Sequence, residues 1–251
     1  MSVDKLIGIN PVKEALKAGR PLQRLLVSKQ QKPGRGLQEI IKLAQSSGIE
    51  VAMVSREVLN REAQGASHQG VMAFAAPRRS ASLEDILGIP GQRGQAPLFL
   101  VLDGVEDPRN LGAIVRTAEV AGVHGLVIPE RRAAGLTETV AKAAAGALEY
   151  VPVVTVVNIA NTLEAFKGAG MWVAGAETEG DMLYWDADFV RPTVLVLGGE
   201  GRGMRRLVRE RCDYTVSLPQ KGRIHSLNVS VAAGVLLYEV LRQRGGGAQG
   251  P

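Results

Sequence analysis

At 251 residues, 45% of them hydrophobic and 22% charged, the chain is long enough to bury one large core or two modest ones. A single cysteine, Cys212, excludes an internal disulfide, and the three scattered histidines (His68, His124 and His225) make no metal-ligand cluster with it. Apolar stretches are strand-length or interrupted and no leader pattern opens the chain, so the expectation is a soluble, cytoplasmic, metal-free protein with no membrane partner.

Residues 1–76 hold 11 Lys/Arg against 6 Asp/Glu and residues 77–251 hold 19 against 19, so the whole formal excess of +5 lies in the first third. A basic module beside a neutral one suggests a polyanion-binding domain next to a catalytic domain, although an excess this small also suits a merely solubilising surface. The first 73 residues contain no Phe, Tyr or Trp, which rules out an aromatic base-stacking platform. Recognition of a polyanion would rest on its backbone charge and shape, with Lys29, Lys32 and Arg35 clustered after the first expected strand. The pattern in this part predicts helix 10–18, strand 22–28, helix 37–46, strand 50–54, a short helix 56–62 and strand 70–74, which is a small α/β sandwich. Residues 77–97, rich in Pro, Gly and Ser, read as a linker with one short helical stretch at 83–87.

Beyond the linker, Leu98 to Asp103 is a buried-strand run, followed by turn residues and a helix with Asn110 as its expected N-cap and Gly122 as its stop. Gly112 and Arg116 are four apart and share a helix face, and a helical side chain leans toward the N-terminus, so Arg116 can lie across the glycine toward Asn110. The plain alternative is a solvated arginine. Further strands are expected near 125–128, 151–154 and 171–176. Strand Thr193 to Leu197 then breaks into the glycine-rich loop Gly198 to Gly203 ahead of a helix at 204–211. Gly-Lys-[Ser/Thr] is missing, so this is no Walker loop, and Glu200 inside it disfavours phosphate and suits a cation or a hydroxyl. After a strand at 214–218, Ser226-Leu-Asn228 opens an apolar helix from Val229 to Leu241, where a Ser or Asn could serve only as an N-cap or deliver polar groups to a site. Strands interleaved with helices predict a parallel sheet covered on both faces, and the glycine-rich tail 245–251 is expected to be disordered.

In this order, Asn110-x-Gly112-x-x-x-Arg116, Leu197-Gly-Gly-Glu-Gly-Arg-Gly-Met204, and Leu218-Pro through Ser226-Leu-Asn-Val-Ser230 resemble the three motifs of the SpoU (TrmH-type) RNA ribose 2′-O-methyltransferases of the SPOUT superfamily. Gly8 to Leu16 and Ser67-His-Gln-Gly-Val71 resemble the small RNA-binding domain of the subgroup that methylates a guanosine ribose in bacterial 23S rRNA. The likeness spans about Leu6 to Arg244. Departures are confined to Gly199, where relatives often carry Ala or Ser, to Arg202, where they often carry Glu or Lys, and to the variable His225.

The resemblance implies an α/β chain of four parts. A small N-terminal α/β (ribosomal-protein L30-like) RNA-binding domain occupies 1–76, followed by the linker 77–97. A parallel-sheet α/β catalytic domain with a deep trefoil knot spans 98–244, and the tail 245–251 ends the chain. Physical priors alone argue against a knot. The resemblance further implies S-adenosyl-L-methionine as cofactor, held by Ala176, Gly198, Gly199, Gly201, Leu218, Pro219 and Leu227. Arg116, Asn110, Glu200, Ser226 and Asn228 would then form the catalytic set, with 23S rRNA as substrate and a homodimer through the C-terminal domain. Arg116 is the family's candidate base, yet a guanidinium ordinarily keeps its proton, so a role in orienting the hydroxyl or phosphate stays open. Alternatives are a tRNA ribose or antibiotic-resistance rRNA methyltransferase and, in another class, a non-catalytic RNA-binding or ribosome-assembly factor.

Overall fold

The computed structural model describes residues 3–29, 34–78, 80–223 and 226–245, so Lys32, His225 and the tail from 246 lie outside the described residues. The chain forms two compact units, one from residues 1–79 with 136–150, the other from residues 80–135 with 151–251.

The first unit is built on β1 (Asp4–Ile7), α1 (Ile9–Lys17), β2 (Leu22–Ser28), α2 (Arg35–Ser46), β3 (Glu50–Val54), α3 (Arg56–Glu62) and β4 (Val71–Ala75). Its sheet runs β1-β4-β2-β3, with β4 antiparallel to both neighbours and β2 parallel to β3. Alternation sorts the core into two faces. Leu25, Val27, Val71 and Ala73 pack with Val12, Leu16, Leu37 and Ile40 of α1 and α2, while Leu26, Met72 and Phe74 pack with Leu59 of α3. The short β1 is absent from the expected elements because Asp4 and Lys5 interrupt its apolar pattern; the pairing of Ile7 with Met72 makes it a strand.

The Gly8 and Ser67–Gly70 segments, which resemble an RNA-binding domain, meet in space. His68 Nδ1 accepts from Gly70 N–H at 3.0 Å, His68 Nε2 lies 2.9 Å from Asn60 Oδ1, and Gln69 Oε1 accepts from Ile9 N–H at 3.1 Å. His68 is therefore a buried, satisfied lock, and desolvation lowers its pKa below the ordinary histidine value.

Residues 136–150 carry α7 (Glu138–Ala143) and a 3-10 turn (Ala147–Glu149) and belong to this unit. The almost buried Glu149 carboxylate accepts from Arg20 at 3.1 Å and Arg78 at 2.7 Å, and Tyr150 donates to Glu14 at 2.8 Å. Nothing in the local pattern of 136–150 foretold this docking, because its partners are more than 50 residues away in the chain.

The second unit begins with α4 (Leu83–Leu87), capped by a reciprocal Ser82–Asp85 box, and α5 (Ile89–Arg93), which starts with Pro90 in its first turn and ends at Gly94. The expected linker thus contains a second short helix, and Ile86 is buried in the core.

Strands β5 (Leu98–Asp103), β6 (Gly125–Pro129), β7 (Val153–Val156), β8 (Trp172–Ala176), β9 (Met182–Leu183), β10 (Thr193–Gly198) and β11 (Tyr214–Ser217) form an all-parallel sheet. Its order is β7-β6-β5-β10-β8-β11-β9. The helices are α6 (Pro108–Val120), α8 (Ile159–Gly168), α9 (Arg206–Glu210) and α10 (Val229–Gln243). Phe99, Val101, Val173, Val194 and Val196 face Leu163 and Phe166 of α8 and Val208 of α9. Leu100, Leu102, Leu195 and Leu197 alternate to the opposite face, where α10 lies against β10 and α6.

Two boundaries differ from expectation. Helix α6 starts at Pro108 with Asp107 as N-cap, its carboxylate accepting from Arg109 N–H at 2.7 Å, so Asn110 is already inside the first turn. Proline at the first helical position, with its φ preset, moves the start upstream. Helix α9 starts at Arg206 rather than Met204, because the Arg205 N–H is taken by the Asp103 carboxylate at 2.7 Å.

Candidate active site

Because β5, β8, β10 and β11 are parallel neighbours, their C-terminal ends at Asp103, Ala176, Gly198 and Ser217 lie along one edge of the sheet, the usual place for a ligand in such folds. The loop from Gly198 to Gly203 folds back on itself. A Cβ at Gly198 would sit 2.1 Å from the Gly203 carbonyl carbon, and one at Gly199 would sit 2.0 Å from the Gly104 oxygen, so both positions demand the absence of a side chain. Gly203 N–H donates to the Gly199 carbonyl at 3.1 Å, closing the loop.

Beneath the loop, the buried Asp103 accepts from Arg205 through its backbone N–H and through Nε, both at 2.7 Å, and makes an ion pair with Nη2 at 2.7 Å. This charge-assisted fork ties the end of β5 to the entry of α9. Sequence reasoning missed the pair; the only signal was an aspartate ending an otherwise apolar strand.

Above the loop, three residues from three separate segments join. Asn110 Nδ2 donates to Glu200 Oε1 at 2.7 Å, and Asn228 Nδ2 reaches both the same oxygen at 2.9 Å and Asn110 Oδ1 at 3.0 Å. Asn228 also caps α10, its Oδ1 accepting from Ser230 N–H at 2.9 Å. The polar residue ahead of the apolar helix is therefore both cap and site, and the two readings of that position are compatible.

Two cavities flank this rim. One, of about 340 Å³, is lined by Ala176, Leu197, Gly198, Gly199, Gly201, Leu218, Ser226 and Leu227, together with the polar Glu177, Thr178 and Gln220. The other, of about 390 Å³, is lined by Asn110 and by residues of the loops after β5 and β6. Gly199, Glu200, Gly203 and Val229 line both. Of the residues expected to hold the cofactor, only Pro219, which is exposed, is outside the first cavity's lining. Glu177, Thr178 and Gln220 were not foreseen, since each follows a strand end by only one to three residues without a motif of its own.

Arg116 is not brought into this group. It is exposed, lines neither cavity and, among the described residues, makes no hydrogen bond or ion pair. Six residues along a helix is 120° short of two full turns, so Arg116 and Asn110 point in different directions, and the expected approach across Gly112 is not made within one chain. Burial pushes the Cys212 thiol up to about 12, which favours its protonated form at neutral pH.

A model of the SpoU rRNA methylase family matches residues 97–238, and one for RNA 2′-O ribose methyltransferase substrate binding matches residues 5–81. The chain belongs to the SpoU rRNA methylase family. It is 46% identical over 241 residues to a TrmH family tRNA/rRNA methyltransferase of Bacillus subtilis, covering 96% of each chain. It also superimposes on the SpoU methyltransferase AviRb of Streptomyces viridochromogenes in complex with AdoMet, with a TM-score of 0.81 and 28% identity over 98% of this chain and 92% of the other. An AdoMet-bound rRNA methyltransferase from Sinorhizobium meliloti matches with a TM-score of 0.79 and 25% identity over 96% and 87% of the two chains.

The protein is thus an RNA methyltransferase that uses S-adenosylmethionine. The first cavity fits that cofactor by size and chemistry. Its volume lies within the range of small-molecule sites, apolar walls from Leu197, Val216, Leu218 and Leu227 suit the adenine, and the Glu177, Thr178 and Gln220 side chains suit hydroxyl and ammonium groups. No helix among the described residues is long and apolar enough to cross a membrane.

Proposed function

We propose that this protein methylates the ribose 2′-hydroxyl of a guanosine in 23S rRNA. The observation that carries the reading is the Asn110–Glu200–Asn228 network standing on the rim shared by two cavities, one suited to the cofactor and the other open to a nucleotide. When bound, S-adenosylmethionine supplies an electrophilic methyl group on a sulfonium. What the chain must add is position, proton management and exclusion of water. Main-chain groups at Gly198, Leu218 and Leu227 hold the adenosyl moiety, and Asn110, Glu200, Ser226 and Asn228 orient the acceptor ribose. Bringing hydroxyl and methyl into line accounts for several kcal/mol, roughly, of the barrier. Arg116 steers the hydroxyl or its neighbouring phosphate and stabilises developing negative charge on oxygen.

The reading includes three further parts. The loops around Ala176, Gly198 and Leu218 to Leu227 form a trefoil knot around the cofactor site. The basic N-terminal unit holds the RNA through phosphate, ribose and shape. The protein is a homodimer through the α6–α10 side of the second unit, a reading supported by exposed Val120, Val231 and Tyr238, each more than half accessible on helices that are otherwise well packed. Arg116 shares the exposed face of α6 with Val120, so the same association decides which acceptor its guanidinium reaches.

A tRNA substrate is the nearest rival, because the Bacillus subtilis relative is named for both tRNA and rRNA. A non-catalytic assembly factor would have no need of an intact three-residue network around Glu200. Mapping ribose methylation in rRNA and tRNA from cells with and without this protein separates the readings: the proposal expects one 2′-O-methylguanosine lost from 23S rRNA, and a loss confined to tRNA overturns it.

A further inference from the structure

The cavity on the far side of the glycine loop carries four arginines and four carboxylates: Arg131, Arg132, Arg202 and Arg205 against Asp103, Glu106, Asp107 and Glu200. Formally these cancel, but most of the carboxylates are already engaged. Asp103 is consumed by Arg205 in the buried fork, Asp107 accepts from Arg109 N–H as the cap of α6, and Glu200 is held by the Asn110 and Asn228 amides. Among the described residues lining this cavity, Glu106 is the one carboxylate without a partner, whereas Arg131, Arg132 and Arg202 all lack one. Only Asp103 and Arg205 neutralise each other; Asp107 and Glu200 keep their charge and accept from neutral N–H groups, so Arg131, Arg132 and Arg202 are the guanidiniums with donors left over, and their planar forks suit an oxyanion.

The backbone agrees. Arg132 sits at φ 59°, in the left-handed region that residues with a side chain rarely adopt, while Ala134 N–H donates to the Val105 carbonyl at 2.9 Å and pins the loop to the strand end. A strained backbone persists where its surroundings over-determine it, commonly at ligand clamps. Here it aims consecutive arginines at one cavity.

We propose that Arg131, Arg132 and Arg202 clamp phosphodiester groups of the RNA strand beside the acceptor ribose, so that the second unit makes its own phosphate interactions with the substrate. This rests on the methyltransferase reading above and adds the residues that seat the strand. Planar guanidinium forks suit phosphate oxygens, and the shared wall at Glu200 sets the ribose next to the cofactor cavity.

The test uses the full-length protein, a labelled short single-stranded oligoribonucleotide and an unmodified 23S rRNA transcript. Arg131→Ala with Arg132→Gly removes both charges while leaving the left-handed position to the residue that tolerates it. Oligoribonucleotide affinity should drop, the slope of log affinity against log salt should flatten by roughly 0.7 for each phosphate no longer neutralised, and KM for the transcript should rise. Affinity for S-adenosylhomocysteine should be unchanged, and Arg132→Lys should recover part of the RNA binding. Glu106→Gln, which removes the unengaged carboxylate, should tighten RNA binding. Unchanged affinity and slope in the double variant would overturn the proposal. So would loss of S-adenosylhomocysteine binding, which would make the arginines a site for the cofactor carboxylate, and so would weaker RNA binding in Glu106→Gln, which would mark a base-reading pocket. The oligoribonucleotide arm needs no turnover, so it decides the clamp even if the methylation reading fails.

Discussion

Asn228 performs two separable tasks, and three substitutions take them apart. Its Oδ1 caps α10 by accepting from Ser230 N–H at 2.9 Å, a contribution of about 1 kcal/mol. Its Nδ2 donates to Asn110 at 3.0 Å and to Glu200 at 2.9 Å, and at this exposed position the two bonds together contribute about 1 kcal/mol. Asn228→Ala loses both, for about 2 kcal/mol, which for a chain of this size lowers the melting midpoint by about 4 to 8 °C. Asn228→Ser keeps a capping oxygen and loses only the amide donors, about 1 kcal/mol. Asn228→Asp also keeps the cap but sets a second carboxylate beside Glu200, at a similar cost. Stability should therefore rank Ala below Ser and Asp, whereas methyl transfer should be reduced alike in all three, by roughly ten- to a hundredfold, because none can hold Glu200. Thermal unfolding followed by circular dichroism and single-turnover methyl transfer at saturating cofactor measure the two properties separately. Activity that tracks stability through the series, or a fully active Asn228→Ser, would show that the network around Glu200 is only an end-cap with no part in the reaction.

Arg116→Ala should abolish methyl transfer with folding and S-adenosylhomocysteine affinity nearly intact, since the side chain is exposed and, among the described residues, engages nothing in its own chain; comparable losses in cofactor binding, read by calorimetry, would make it structural. Substituting Lys29, Lys32 and Arg35 together should weaken RNA binding and flatten its salt dependence, and an unchanged slope would reduce the N-terminal charge to a solubilising role. Removing residues 1–76 outright is the poorer experiment, because residues 136–150 pack with that unit and Glu149 would lose Arg20. Stability should also decline as pH falls through the ordinary histidine range. Desolvation lowers the folded pKa of His68 and of His124, so below about 6.5 the unfolded chain takes up protons that the folded one refuses, and stability present above that pH is lost until the folded values are passed. His68→Gln should make the decline shallower in denaturant titrations between those limits, and an unchanged slope would show that His68 takes up its proton as readily in the fold as in the unfolded chain.

What the sequence displays best is whatever local pattern determines. The parallel sheet follows from apolar strand runs such as Leu98–Asp103 and Thr193–Gly198, and the glycine loop from its own composition. Less visible is anything fixed by partners distant in the chain. Strand β1 exists through its pairing with β4, residues 136–150 pack with the first unit through Arg20, Arg78 and Glu14, and Asp103 finds Arg205 102 residues later. The start of α6 at Pro108 is legible in principle, since Asp-Pro is a strong helix opening, but Asn110, itself a good cap residue just ahead of the apolar run, competes with Asp107 for that place. Asn110, Glu200 and Asn228 come together as the motifs imply, while Arg116, six residues beyond Asn110 on the same helix, is 120° out of phase with it, a consequence of the spacing that the four-residue relation to Gly112 obscured.

The most direct test is to incubate the purified protein with labelled S-adenosylmethionine and, separately, unmodified 23S rRNA and tRNA transcripts, digest the products to nucleosides and identify the labelled species. The account predicts 2′-O-methylguanosine, formed from 23S rRNA and lost when Glu200 is replaced by alanine. A methyl group on a base, or label confined to tRNA, would contradict it.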